Sequence, residues 1–301
     1  MPYITGRNAY LSIGSQAAAG TAATAFSFLS LSGDSGVELT QELNIVEPQG
    51  GLEPTNYWIV GTWVAGRVEA RLHPAYDATL INWIMSRDAT GEAPYFSILQ
   101  AYGSSMVWRF VDCKINTATI TLRAAEVPTI ALEFIGKTMG TTAWAAPTID
   151  TSLFWLSSEI TVKLGTVDYS PVFRSVELTF NNNIAAARDM LRFASMGPVA
   201  LPAGDRTIEG RATLDIKTAD AEVNLDTIAF LTGILGGTRE GTMEIKFTRG
   251  GTTRTITANR VVWHYPTGVT VPSGGAGTPR TADLTFNCLA SASLPAITFA
   301  S

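Results

Sequence analysis

The chain has 301 residues, of which 46% are hydrophobic and 16% charged, and its formal net charge is −5. That length accommodates two domains of ordinary size, and that apolar fraction excludes disorder by composition. The acidic balance argues against a specific nucleic-acid binder, which would carry a basic patch.

The first predicted element is a strand over residues 8–14, where Ala9, Leu11 and Ile13 alternate with polar or amphipathic neighbours. Residues 15–25 are Ser, Gln, Ala, Gly and Thr, a composition that reads as a flexible arm. Residues 37–45 form a strand with Val37, Leu39 and Leu43 on one face and Glu38, Thr40 and Glu42 on the other. Residues 47–61 hold two prolines and Tyr57-Trp58 and read as a long loop, longer than a hairpin needs. Residues 62–72 are a strand with Val64, Val68, Ala70 and Leu72 inward and Arg67, Glu69 and Arg71 outward. From 75 to 87 the period changes to that of a helix, with Tyr76, Leu80, Trp83 and Ile84 on one side. A hairpin over 95–101 and 106–112 follows. A strand rich in alternating Thr then runs to Arg123, and a last one covers Thr129 to Gly136. Residues 138–154 have the composition of a linker.

After that linker the order repeats. Ser158–Gly165 answers the first strand, and Val176-Glu-Leu-Thr179 repeats Val37-Glu-Leu-Thr40. Thr207–Arg211 answers Thr62–Arg67. A second helix is expected over 219–235, with Val223, Ile228 and Leu231 among its apolar positions. A second hairpin spans 242–247 and 253–258. The closing pair is 260–265 and 280–288, and Thr281-x-x-Leu284-x-Phe286 echoes Thr129-x-x-Leu132-x-Phe134. Ordered matches of this kind indicate an internal duplication.

Little in the chain suggests chemistry. Cys113 and Cys288 read as reduced, partly buried thiols, since a disulfide framework needs more cysteines and a secretory context. His73 and His264 have no acid or cysteine at ligand spacing. Gly274-Gly-Ala-Gly277 does not join a strand to a helix, as a phosphate loop would. Asp77 and Asp226 read as ordinary helix carboxylates. No signal peptide is apparent and no apolar run reaches the roughly 20 residues of a membrane span, so a reducing cytoplasm is the expected compartment. Catalytic, metal and cofactor sites are all expected to be absent.

The remaining feature is a set of strands with polar second faces. Glu38, Thr40, Glu42, Arg67, Glu69 and Arg71 form one such face, and Glu177, Thr179, Asn181, Arg211, Thr213 and Asp215 form the other. Each is either a solvated sheet face or the lining of a water-filled bore.

Val111-Asp-Cys-Lys-Ile-Asn-Thr-Ala-Thr-Ile-Thr-Leu122 is followed by Ile130-Ala-Leu-Glu-Phe-Ile-Gly136, and Gly66-Arg67-Val68 has a helix behind it. This set resembles the major tail tube proteins of long, non-contractile-tailed bacteriophages. The resemblance covers most of residues 30–137 and, more weakly, 158–290, where Arg260-Val-Val-Trp-His-Tyr265 departs from the pattern. It implies a mainly β fold with one short helix per domain. Two tandem tail-tube-like β-sandwich or barrel domains would cover residues 1–140 and 155–301, joined by a linker over 141–154. It also implies a structural role: two-domain chains form trimeric rings that mimic hexamers, and stacked rings conduct the genome. The twelve polar-face residues would line the channel, while Leu52, Tyr57 and Trp58, with the 15–25 arm, would touch neighbouring subunits. The implied partners are other copies of the chain, further tail proteins at the tube ends and, transiently, double-stranded DNA. The place would be the virion tail, assembled in the host cytoplasm. The alternative is a β-sandwich receptor- or glycan-binding module with Tyr57, Trp58 and Trp63 as its platform.

Overall fold

The computed structural model describes residues 9–46, 56–103, 106–143, 153–193, 195–218, 225–237, 239–264, 280–291 and 293–301. Sixteen strands and two α-helices make up the described residues, so the fold is mainly β. In the first half these are β1 (Ala9–Ser15), β2 (Ser27–Phe28), β3 (Gly36–Val46), β4 (Asn56–Arg71), α1 (Asp77–Met85), β5 (Phe96–Tyr102), β6 (Met106–Arg123), β7 (Thr129–Gly136) and β8 (Thr138–Thr141). In the second they are β9 (Ile160–Leu164), β10 (Val167–Asp168), β11 (Phe173–Asn181), β12 (Thr207–Asp215), α2 (Thr227–Leu235), β13 (Glu240–Arg249), β14 (Thr252–Trp263), β15 (Thr281–Cys288) and β16 (Ile297–Ala300).

The pairing scheme of the first half recurs in the second. β1 pairs with β2 and β5, β5 with β6, β6 with β7 and β8, and β7 with β4, which pairs with β3. β9 pairs with β10 and β13, β13 with β14, β14 with β15 and β16, and β15 with β12, which pairs with β11. All are antiparallel. One further pairing joins the halves: β11 runs antiparallel to β6, from Ser175 opposite Arg123 to Asn181 opposite Thr117.

β6 belongs to two layers. Up to Cys113 it pairs with β5 and β8, and from Lys114 onward with β7 and then β11. The switch falls at Asp112, which has a φ of 57°. Asp112 accepts hydrogen bonds from the Gln16 side chain (2.9 Å) and the Gly20 amide (2.7 Å). The stretch predicted as a flexible arm is therefore tied down, and Ala23 in it is buried and bonded to Ser97. Close packing is confined to Ala23 and Ala25, which stand against Gly14, while residues 17–21 are exposed.

Side chains alternate strictly on the shared sheet. Val68, Ala118, Ile120, Leu132, Phe134, Val176, Leu178, Phe180, Leu214, Leu284 and Phe286 are buried, forming one apolar cluster through both halves. Gly66 and Gly210 sit opposite Phe134 and Phe286. A Cβ at Gly210 would stand 2.1 Å from the Phe286 ring, and one at Gly66 would stand 2.9 Å from Phe134. Each Gly-Arg pair thus opens room for the phenylalanine of the echoed motif.

Several expectations shift. The predicted loop 47–61 yields its last residues to β4, so Tyr57 and Trp58 stand on a strand, opposite Ile45 and Asn44. Thr138–Thr141, read as linker, is a strand paired with β6. The second helix begins at Thr227; Val223 lies outside the described residues, and Ile228 is 44% exposed instead of buried. Asp77 is buried: it accepts a hydrogen bond from Trp155 (2.6 Å) and pairs with Arg254 (3.3 Å), linking α1 to the second half. Asp226 is the ordinary cap that was expected, accepting from the Ala229 amide.

Candidate functional site

The predicted polar residues converge on one surface. Partners directly opposite in an antiparallel pair share a face. Arg67 lies opposite Glu133, which lies opposite Thr117, then Asn181, then Thr207. Arg71, Thr129, Thr121, Glu177, Arg211 and Thr285 make a parallel row. Following the rows outward, Glu38, Thr40, Glu42, Arg67, Glu69 and Arg71 of the first half share a face with Glu177, Thr179, Asn181, Arg211, Thr213 and Asp215 of the second. The face is a continuous sheet surface in the order β3, β4, β7, β6, β11, β12, β15. Two depressions of about 260 and 490 Å³ lie along it, one spanning Arg67 to Glu177 and one spanning Glu177 to Asn287.

Other residues belong to the same face: Thr117, Thr119, Thr121 and Arg123 on β6, Glu133 on β7, Glu209 on β12, and Asp283, Thr285 and Asn287 on β15. Glu133 and Asp283 follow the signal that revealed the others, since each alternates with the buried residues of the Leu-x-Phe motif. Thr119 and Thr179 meet across the seam between halves at 3.2 Å, and the Thr213 hydroxyl donates to Asp283 at 2.7 Å. On this face eight carboxylates (Glu38, Glu42, Glu69, Glu133, Glu177, Glu209, Asp215, Asp283) outnumber four arginines (Arg67, Arg71, Arg123, Arg211).

The twelve residues are not equivalent. Glu42 pairs with Arg188 at 2.5 Å, and Asp215 with Arg174 at 2.6 Å. Arg71 stands over the Phe154 ring, 5.5 Å from its centroid. Glu38, Arg67 and Arg211 are exposed.

Family comparison decides the class. A family model described as phage tail tube protein matches residues 6–288, nearly the whole chain. The chain belongs to the phage tail tube protein family. No curated protein matches it. The match takes in both stretches of the resemblance, residues 30–137 and all but the last two residues of 158–290.

Of the predicted contact residues, Tyr57 and Trp58 stand at the start of β4, on both faces of the β3–β4 hairpin. Tyr57 and Trp58 are 67% and 57% exposed, and Leu52 lies outside the described residues. Trp63, the third member of the binding platform, is not free: it packs against the Ala93, Ile184, Ala187 and Leu201 cluster. Ile184, Ala187 and Leu201 of that cluster come from the segment between β11 and β12, which crosses from the second half onto the first. Lys114, buried to 1%, holds it by donating to the Leu201 carbonyl (2.8 Å) while pairing with Glu92 (2.5 Å) over the Tyr95 ring. Lys137 donates to the Val199 carbonyl and the Thr62 amide to that of Met196.

Among the described residues, no group of three His, Cys, Asp or Glu side chains could hold a metal ion, and no helix is long and apolar enough to cross a membrane. His73 is buried between Tyr76 and Phe154 and accepts from the Ala75 amide. Both cysteines are buried and free.

Proposed function

We propose that this tail tube protein is a two-domain subunit that closes with other copies into rings, and that its polar face lines the channel through which the phage genome passes. The two halves act as the two domains, with trimeric rings presenting six like units. One observation carries the reading: the polar face runs without a break from one half to the other through the β6–β11 pairing. That pairing supports a rule for ring closure. β11 and β3 hold the same place in their halves, yet β11 is flanked on both edges and β3 pairs only with β4 among the described residues. An open strand of that length is a template for another chain. A second copy would cover it as β6 covers β11, and repetition would close the sheet into a barrel, the arrangement that removes edges altogether.

The chemistry of the face suits passage. DNA carries about one negative charge per 1.7 Å of its axis. A wall rich in Glu, Asp, Thr and Asn, with scattered arginines, repels the duplex weakly and offers it no firm hold. The role is structural, the place is the virion tail, assembly occurs in the host cytoplasm, and further tail proteins cap the tube ends. The glycan-binding reading loses its platform with Trp63.

Negative-stain microscopy of the purified protein tests the proposal. Rings or tubes with a central channel are expected, with a ring mass of three chains by analytical ultracentrifugation. A protein that stays monomeric at high concentration would overturn it.

A further inference from the structure

The two helices hold the same place in their halves but have different neighbours. Both are nine residues long, and counting from their first residues matches Asp77 with Thr227, Ala78 with Ile228 and Met85 with Leu235. α1 reaches beyond its own half to pack against β16, and its Asp77 meets Arg254 of β14 at 3.3 Å. Ala78 and Met85 on its flank are half-buried, Met85 against the core cluster. Their counterparts on α2, Ile228 and Leu235, are 44% and 57% exposed. They stand two turns apart on one side of the helix. α2 thus bares an apolar side that α1 has covered.

The surface on which α1 rests has a counterpart too. Phe134 and Phe286 are equivalent in the echoed motif, and they lie opposite Ile115 and Trp263. Counting back nine positions from these reaches Met106 and Arg254. Counting back five reaches Phe110 and Ala258, whose partners across the sheet are Met139 of β8 and Ile297 of β16. The count holds because the extra residues of both strands fall at the same point, just after Phe110 and Ala258. Met106 therefore answers Arg254, and Met139 answers Ile297. Ile297 is 3% exposed, whereas Met106 and Met139 are each 36% exposed. Two exposed methionines mark the place in the first half that α1 occupies in the second.

We infer that α2 of one copy packs on β8 and the start of β6 of the next copy, as α1 packs on β16 and β14 within the chain. The inference rests on the ring reading and adds to it a contact behind the channel wall. Within the chain, one step from half to half lays β6 beside β11 and α1 on β16. The same step from the second half of one copy to the first half of the next covers β3 and lays α2 on β8. Unlike surfaces meet, so the contact passes from copy to copy until the rotation closes a ring. The two joints differ in chemistry. The inner one holds the buried Asp77 carboxylate beside Arg254, and the outer one has Thr227 and Met106 in their places, neither charged. Subunits that meet from solution must strip water from every group they bring together, which costs ions heavily and favours apolar side chains. Methionine, flexible and unbranched, moulds itself to a neighbour.

Ile228→Cys and Met106→Cys chains are co-expressed, only one of them tagged, and treated with a short bis-maleimide. The native thiols do not compete, because burial pushes Cys288 up to about 12 and Cys113 higher still. The expected product joins a tagged chain to an untagged one and forms with neither variant alone. Joining of two Ile228→Cys chains would overturn the inference, as would wild-type rings without the mixed product. In that last case the ring reading survives. If the wild-type protein forms no rings, the ring reading falls, and a missing mixed product removes the helix contact with it. A charge swap gives a second test. Ile228→Asp puts a carboxylate in the first turn of α2, where the helix dipole accommodates it, so the fold is kept. It should cut the fraction of chains in rings roughly tenfold at equal concentration, read by analytical ultracentrifugation. Adding Met106→Arg to the same chain places a cation opposite it on the next copy and should restore the rings. Rings in normal number from Ile228→Asp, or no rescue by Met106→Arg, would refute the contact.

Discussion

Asp77, the first residue of α1, and Asp226, the N-cap of α2, both stand at helix starts and do different work. Asp226 satisfies one orphan amide of its helix, that of Ala229. Replacing it with Ala should cost about 1 kcal/mol, the usual value of an exposed cap. Asp77 is 2% exposed and bonded to the Trp155 indole and the Arg254 guanidinium. Asp77→Ala would strand a buried indole N–H and a half-buried cation, a loss of about 3 kcal/mol. Urea titrations of the two variants should separate by that margin, and equal midpoints would show that Asp77 is not an anchor between halves. The sequence showed the carboxylate but not its partners, since Trp155 and Arg254 are 78 and 177 positions away. Tyr76, next to it, gives a pH test. Burial pushes its phenol up to about 12 from an ordinary 10.0, and its hydroxyl donates to the Arg71 carbonyl. The unfolded chain therefore gives up this proton first. The stability that Tyr76 contributes is complete below pH 10 and is lost between pH 10 and 12, of order 3 kcal/mol for a shift of about two units. Tyr76→Phe should lower stability at pH 8 by about 1 kcal/mol through the missing hydrogen bond. It should also flatten the decline between pH 10 and 12. An unchanged alkaline slope would mean that other groups control it.

At the scale of elements, the paired Gly and Phe positions explain why a sequence echo could reveal the fold. Thr129-x-x-Leu132-x-Phe134 and Thr281-x-x-Leu284-x-Phe286 place a large ring over a glycine of the neighbouring strand in each half. Gly210→Ala forces a methyl group against the fully buried Phe286 ring and should cost about 1–3 kcal/mol by overpacking. Gly66→Ala meets the Gly36 carbonyl at 2.5 Å as well as its ring, and backbone cannot swing aside, so its loss should be larger. Thermal denaturation ranks the two, and the reverse order would mean that β3 yields more easily than the core. Period-two alternation exposed the polar face because one side of each strand must enter a core. Where no core demanded it, the signal failed. Thr138–Thr141 is exposed along its length and carries no alternation. The start of β4 is exposed on both faces, so Tyr57 and Trp58 read as loop. The segment between β11 and β12 has no period at all, because its position depends on Lys114, Lys137 and carbonyls distant in sequence.

For the whole molecule, the charge of the sheet face and its continuity make one argument. Eight carboxylates and four arginines leave the face at −4. Reversing three of them to Lys would bring it to +2 in each chain, and every chain of a ring would change together. The choice of positions matters. Glu42 is unsuitable because its pairing with Arg188 helps hold the crossing segment, and Asp215 is tied to Arg174. Glu38, Glu177 and Glu209 lie on β3, β11 and β12, spread along the face and outside any ion pair among the described residues. Glu38 and Glu209 are exposed and Glu177 is half-buried at the sheet surface, so the folding cost of Lys stays small and assembly should proceed. A basic wall would then hold the duplex by displacing its counterions. Particles built with Glu38→Lys, Glu177→Lys and Glu209→Lys together should eject DNA more slowly than wild type at low salt. The defect should fade as salt rises and the screening length falls from about 10 Å at 0.1 M to about 3 Å at 1 M. Purified tubes of the variant should also retain short duplex DNA that wild-type tubes release. Normal ejection at low salt from fully assembled variant tails would place these three carboxylates outside the channel and turn the polar face toward open solvent.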